Sequence, residues 1–175
     1  MRFVVASFAF ALASCGPNLG SHAFVSARYA SELPADYGHS RNDPGYVVVT
    51  FRTDADLNSA DINALYAMVD PCGASDSGRM TAFGPFTDST VPKELPLPGD
   101  REVVKRYRVY VPVTGELWGD RANGKTPVAG IFDLRTNRSE ICFRLEHTGY
   151  PWATRTNPVR VAPSILSRAI DLAGA

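Results

Sequence analysis

Residues Val103–Val113, VVKRYRVYVPV, alternate with a period of two: Val103, Tyr107, Val109, Val111 and Val113 fall on one face, and Arg106, Arg108 and Tyr110 on the other. Side chains on a strand point alternately to opposite faces, so this pattern predicts a strand whose valine face lies on a core. Upstream, Tyr46–Thr53, YVVVTFRT, is apolar on both alternating faces. That is the composition of an inner strand, covered on both sides. Further short runs share this texture, namely Asn63–Val69, a weaker Met80–Phe86 interrupted by Gly84 and Pro85, then Ala129–Leu134, Glu140–Glu146 and Pro158–Ala162. Clusters of Pro, Gly, Asn and Asp separate them, and Pro92, Pro96 and Pro98 bar regular pairing up to Gly99.

About seven short strands spread over roughly 130 residues predict an all-β domain spanning residues 45–175, an immunoglobulin-like or transthyretin-like sandwich, with a small β-barrel as the alternative. A short helix is expected after Ser164, which is placed to cap it, because Ile165, Leu166, Ala169 and Ile170 make one apolar stripe. Residues 15–44 carry scattered Gly, Pro, Ser and Asn without a sustained period and read as a flexible tether with an r.m.s. reach of roughly 30 Å. Within it, Ala23–Leu33 suits either a short helix or a strand. The chain has 175 residues with 18 basic and 18 acidic side chains, so no basic excess points to nucleic acid.

The stretch Gly119–Thr126, GDRANGKT, matches G-x-x-x-x-G-K-[ST], the pattern of a phosphate-binding loop. A loop of that kind opens a helix whose N-terminus faces the phosphates. Here Pro127, Val128, Ala129, Gly130, Ile131 and Phe132 follow, which reads as a strand. The Asn123-Gly124 pair favours a type I′ hairpin turn instead, so no nucleotide is expected.

Residues 1–14 begin with Arg2 and run apolar from Phe3 to Ala11, the layout of a secretory signal. The run is well short of the roughly 20 residues that span a bilayer. The segment ends in Leu12-Ala13-Ser14-Cys15, which resembles the lipobox of bacterial lipoprotein precursors. That resemblance implies cleavage before Cys15, acylation of its sulfur and its new amine, and an effectively permanent membrane anchor. Gly16 stands where an aspartate would retain an enterobacterial lipoprotein in the inner membrane, which implies an outer-membrane protein facing the periplasm, another envelope membrane or surface being the alternative. Cleavage removes Arg2 alone among charged residues, leaving 17 basic against 18 acidic. Cys72 and Cys142 remain as an even pair and are expected to form a disulfide, which either joins the outer side of the Cys142 strand to the loop after the second strand or goes with a bulge that offsets the alternation.

Catalytic and metal chemistry find little support in the sequence. His22 and His39 lie in the tether, leaving His147 alone in the domain, and Ser75 and Ser77 in GASDSG belong to no nucleophile motif. Asp54, Asp56, Asn58 and Asp61 in DADLNSAD imitate the first positions of a calcium loop, but Ser59 and Leu65 replace its glycine and its bidentate glutamate. A solvated acidic turn explains them, and no cofactor or metal is expected. Partner binding is better represented, by Trp118 in GELWGD and by Tyr150 and Trp152 in HTGYPWATRTNP, each near an arginine. The expectation is a membrane-anchored binding or scaffold module of the bacterial envelope with an envelope protein as partner. The alternatives are an inhibitor or immunity lipoprotein acting on a cell-wall hydrolase and, less favoured, an envelope hydrolase.

Overall fold

The computed structural model describes residues 17–35, 45–58, 65–73, 79–88, 104–116, 130–148 and 153–172. Along them run β1 (His22–Ala30), β2 (Tyr46–Thr53), β3 (Leu65–Pro71), β4 (Met80–Thr87), β5 (Lys105–Pro112), β6 (Thr114–Glu116), β7 (Ile131–Asp133), β8 (Ile141–Thr148), β9 (Ala153–Arg155), β10 (Val159–Val161) and the helix α1 (Pro163–Asp171). The chain is all-β with a short C-terminal helix, as its sequence pattern predicts. The main sheet runs β1-β2-β5-β4-β3-β8-β10, with β9 beside β8, and β6 and β7 form a separate ribbon. Every pairing is antiparallel. The sheet is continuous and curls into a half-barrel, nearer to the barrel alternative than to two sheets stacked face to face.

The valine face of β5 lines the inside of the curl. Tyr107, Val109, Val111 and, just past the strand, Val113 join Val47, Val49 and Phe51 of β2 and Ile141, Phe143 and Leu145 of β8 in one core. The rings of Phe51 and Phe143 meet edge to face at 5.2 Å, and Phe51 stacks on Tyr107 at 6.0 Å. On the outer side Tyr46, Val48 and Tyr110 are also buried, packed by Ala30, Leu33, Phe83 and Phe86. This second cluster explains why YVVVTFRT is apolar on both faces: β2 lies between β1 and β5, and each face of it meets other side chains.

Two expectations need correction. Residues 22–30 are not tether: β1 pairs with β2 along its length, from His22 opposite Thr53 to Ala30 opposite Tyr46, with an irregularity between Phe24 and Ser26. The reason is tertiary, because without β1 the most apolar strand of the sheet would leave a row of unpaired backbone groups at an edge. The helix also begins earlier than a cap at Ser164 implies. Ala162 is its N-cap residue and Pro163 takes the first turn, where a missing N–H costs nothing. A smaller difference concerns β4, which continues through Gly84 and Pro85, its register with β5 shifting between Phe83 and Phe86.

Along the sheet the strands alternate in direction, so it has two distinct ends. At one lie His22, Thr53, Lys105, Leu65 and His147; at the other lie Tyr46, Pro112, Pro71, Ile141 and Val161. The helix closes the open side of the curl, placing Leu166 and Ala169 in the core and packing against β1. Leu166 is fully buried, so Leu166→Ala is expected to destabilise the fold by about 2–5 kcal/mol through lost transfer energy and the cavity left behind. Urea denaturation checks this, an unchanged midpoint showing that the helix is dispensable to the core.

Candidate functional site

The two ends of the half-barrel are held by different chemistry. At the end bearing His22, the strand β1 is locked before it begins. Leu19 is buried, the N–H of Gly20 donates to Asn18 Oδ1 at 3.0 Å, and the N–H of Ser21 donates to Asp54 Oδ1 at 2.9 Å. Gly20 has φ of 70°, and a Cβ there would overlap the Asp54 carboxylate and the Thr53 hydroxyl. Only glycine allows so close an approach in that conformation.

His22 is buried at this end. Its Nε2 lies 2.7 Å from the carbonyl oxygen of Leu19, and since a carbonyl only accepts, Nε2 carries the proton. Its Nδ1 is buried without a hydrogen-bond partner, and the ring packs on Phe51 at 4.9 Å. Across the gap between the two edges of the sheet, Asn157 pairs with the His22 backbone twice. The His22 N–H donates to Asn157 Oδ1 and Asn157 Nδ2 donates to the His22 carbonyl, each at 3.1 Å. Burial lowers the pKa of His22 below 6.5, while the Leu19 carbonyl and Asp54 act in the opposite direction.

The acidic turn after β2 serves this same end. From Asp54 to Asn58 exposure alternates: Ala55 and Leu57 turn into the core, while Asp54, Asp56 and Asn58 face out. Tyr107 Oη receives the Leu57 N–H at 2.9 Å and donates to Asp56 Oδ1 at 3.3 Å. Asp56 also pairs with Lys105, and that hydrogen bond is the main reason its carboxyl lies below the usual range. Asn58 donates to Thr87 Oγ1 at 2.5 Å. The oxygens that imitate a calcium loop therefore pin the turn that seals the barrel, and Asp61 lies outside the described residues.

At the opposite end Cys72 and Cys142 form the expected disulfide, with Cα atoms 5.0 Å apart. Cys142 sits on the outer face of β8 opposite Asp70, and Cys72 follows β3 with its N–H on the Glu140 carbonyl at 2.9 Å. Below the disulfide, on the same outer face, lies a network of charges. Arg79 Nη1 reaches Glu146 at 2.9 Å, Arg155 Nε reaches Glu146 at 3.1 Å, and Arg144 Nη2 reaches Asp70 at 3.2 Å. Burial is the largest influence on Asp70 and raises its pKa, against the pull of Arg144 and Arg79. The network is spent on itself, each acid being shared between arginines.

His147 is buried at the core side of β8, opposite Leu65 and Thr154. Cys15, Trp118, Tyr150 and Trp152 lie outside the described residues, as do Ser75, Ser77, His39 and the Gly119–Thr126 stretch. The strands on either side of that stretch, β6 and β7, pair antiparallel from Thr114 opposite Asp133 to Glu116 opposite Ile131, the relation a hairpin requires. The His22 and Asn157 pairing has no sequence signal, since its partners are 135 residues apart.

Both ends can be probed through stability. Replacing both cysteines by serine should lower it by up to about 4 kcal/mol, the loop entropy released when a closure of 70 residues is opened, measured as a shift in urea midpoint. For His22 the lowered folded pKa means the unfolded chain binds its proton first, so stability is complete above pH 6.5 and is lost as pH falls toward the folded value. The urea midpoint should therefore drop more between about pH 7.5 and about pH 5 in the wild type than in His22→Gln, and parallel profiles would remove this role from His22. No family model matches the chain, and neither does any curated protein or solved structure.

Proposed function

We propose that this chain is a lipoprotein of the bacterial cell envelope, anchored through acylated Cys15 and facing the periplasm, whose half-barrel works as a binding or scaffold module. The observation that carries the reading is the sequence Leu12-Ala13-Ser14-Cys15 at the end of a short apolar run behind Arg2. The bond between Cys72 and Cys142 supports it, because structural disulfides persist in oxidising compartments such as the periplasm. A binding role is favoured over catalysis by how the polar groups are used. His22 holds the Leu19 carbonyl, Asp56 holds the turn, and Asp70 and Glu146 are matched to arginines, so each has a structural task. The partner surface is assigned to the aromatic stretches containing Trp118, Tyr150 and Trp152, with an envelope protein as partner.

Two experiments test this. Cells fed a labelled fatty acid should incorporate it into the wild type and lose the label in Cys15→Ala; a label that persists in the variant overturns the anchor. After mild solubilisation the wild type should bring down envelope proteins that Trp152→Ala loses at least tenfold, while a variant that retains them assigns the surface elsewhere.

A further inference from the structure

If Cys15 is the anchor, the length of chain between it and the folded domain decides how the domain meets the membrane. Six residues separate Cys15 from β1, and the domain claims half of them: Leu19 is buried, and Gly20 and Ser21 donate backbone hydrogen bonds into it. Four residue steps lead from Cys15 to Leu19, a span of at most about 14 Å when fully extended. The polar headgroup layer of one leaflet takes up roughly 5–8 Å of that. Resting on the lipoprotein reading, we infer that the half-barrel does not stand off on a tether: its His22 end, where Thr148 and Ala153 flank the Tyr150–Trp152 stretch, faces the phospholipid headgroups, so a partner of that stretch is met at the membrane surface, and the disulfide end points into the periplasm.

The chemistry of that end suits contact with zwitterionic headgroups. Among the described residues its exposed groups include hydrogen-bonding ones of both signs, Asp54 and Asp56 against Arg52 and the half-buried Lys105, beside Asn18 and Ser21. Of its described apolar residues Leu19, Ala55 and Leu57 are turned inward, while Val104, next to Lys105, is 49% exposed. Groups of both signs suit headgroups carrying a phosphate and an amine, and Asp54 and Asp56 offset Arg52 and Lys105 in charge, so these groups do not concentrate anionic lipid. The rigidity of the entry is what transmits the anchor's position to the whole sheet. The Gly20 conformation and the two hydrogen bonds of Asn157 to His22 leave no joint between Leu19 and the barrel.

The test uses the full acylated chain in vesicles of phosphatidylethanolamine and phosphatidylcholine containing a lipid with a spin-labelled headgroup. A fluorophore is placed either at Ser21→Cys, at the His22 end, or at Asn137→Cys, in the exposed turn before β8 at the other. Quenching should be several-fold stronger at position 21, and inserting about 20 Gly-Ser residues after Gly16 should abolish the contrast. Equal quenching at both positions in a chain whose Cys15 is acylated by mass spectrometry overturns the orientation and leaves the lipoprotein reading standing. A Cys15 without acyl chains overturns both. Neutron reflectometry of the unsubstituted protein on a supported bilayer gives an independent answer: protein density continuous with the headgroups is expected, and a water layer of about 20 Å between them refutes the inference.

Discussion

A sheet that curls without closing leaves two edges, and everything else in this protein answers to that constraint. Strand β1 covers one flank of the apolar β2, and β10 finishes the other side. Between them the Asn157 amide makes with the His22 backbone the pair of hydrogen bonds that a neighbouring strand would make. An amide offers both a donor and an acceptor in one plane, so it imitates a peptide group where no strand is available. Helix α1 then covers the open side with Leu166 and Ala169, and the turn after β2 seals the nearby end with Ala55 and Leu57. The edge closure also holds the His22 ring against Phe51, whose other neighbours are Tyr107 and Phe143.

What is legible in the sequence is whatever a strand or helix states by itself. The alternation in VVKRYRVYVPV places Tyr107, Val109, Val111 and Val113 correctly in the core, and the double apolar character of YVVVTFRT places β2 inside the sheet. The apolar stripe of α1 is equally visible. Strand β1 is not, because HAFVSARYA mixes small, polar and aromatic residues without a clean period, and its burial alternates poorly. It is a strand because β2 supplies a partner edge, a requirement that no local window contains. The same logic applies to the outer cluster of Tyr46, Val48 and Tyr110, whose cover comes from Leu33 and from Phe83 and Phe86 on β4.

For the candidate site the division is similar. Cysteine counting gives the pair, and of the two placements that strand parity leaves open the structure has the outer face, where Cys142 stands beside Asp70 in the register and Cys72 follows one step beyond β3. The acidic turn is legible as acidic and not as a seal, because the alternation of Asp54, Ala55, Asp56, Leu57 and Asn58 has meaning only once β2 has delivered it to the mouth of the barrel. The composition around His22 points to a tether. Its actual environment, a carbonyl three residues back and an amide far along the chain, is created wholly by folding.

The two ends of the half-barrel differ in the kind of bond that holds them, and that difference orders how the molecule opens. At the far end β3 and β8 are joined covalently, and seven residue pairs run in register beneath the disulfide from Pro71 opposite Ile141 to Leu65 opposite His147. At the near end β1 pairs with β2 along its length, but toward β10 it is held by neutral hydrogen bonds from Asn157, beside the carboxylate of Asp54 and a histidine whose burial disfavours its charge. Local openings draw on the least protected elements first, and the β1–β10 seam, bridged by side-chain hydrogen bonds rather than by a strand ladder, is less protected than β3 against β8. Such an opening exposes His22 to water and lets it take up a proton. The charge then opposes return to a site whose other nitrogen has no partner. Acid therefore weighs on the seam that holds His22.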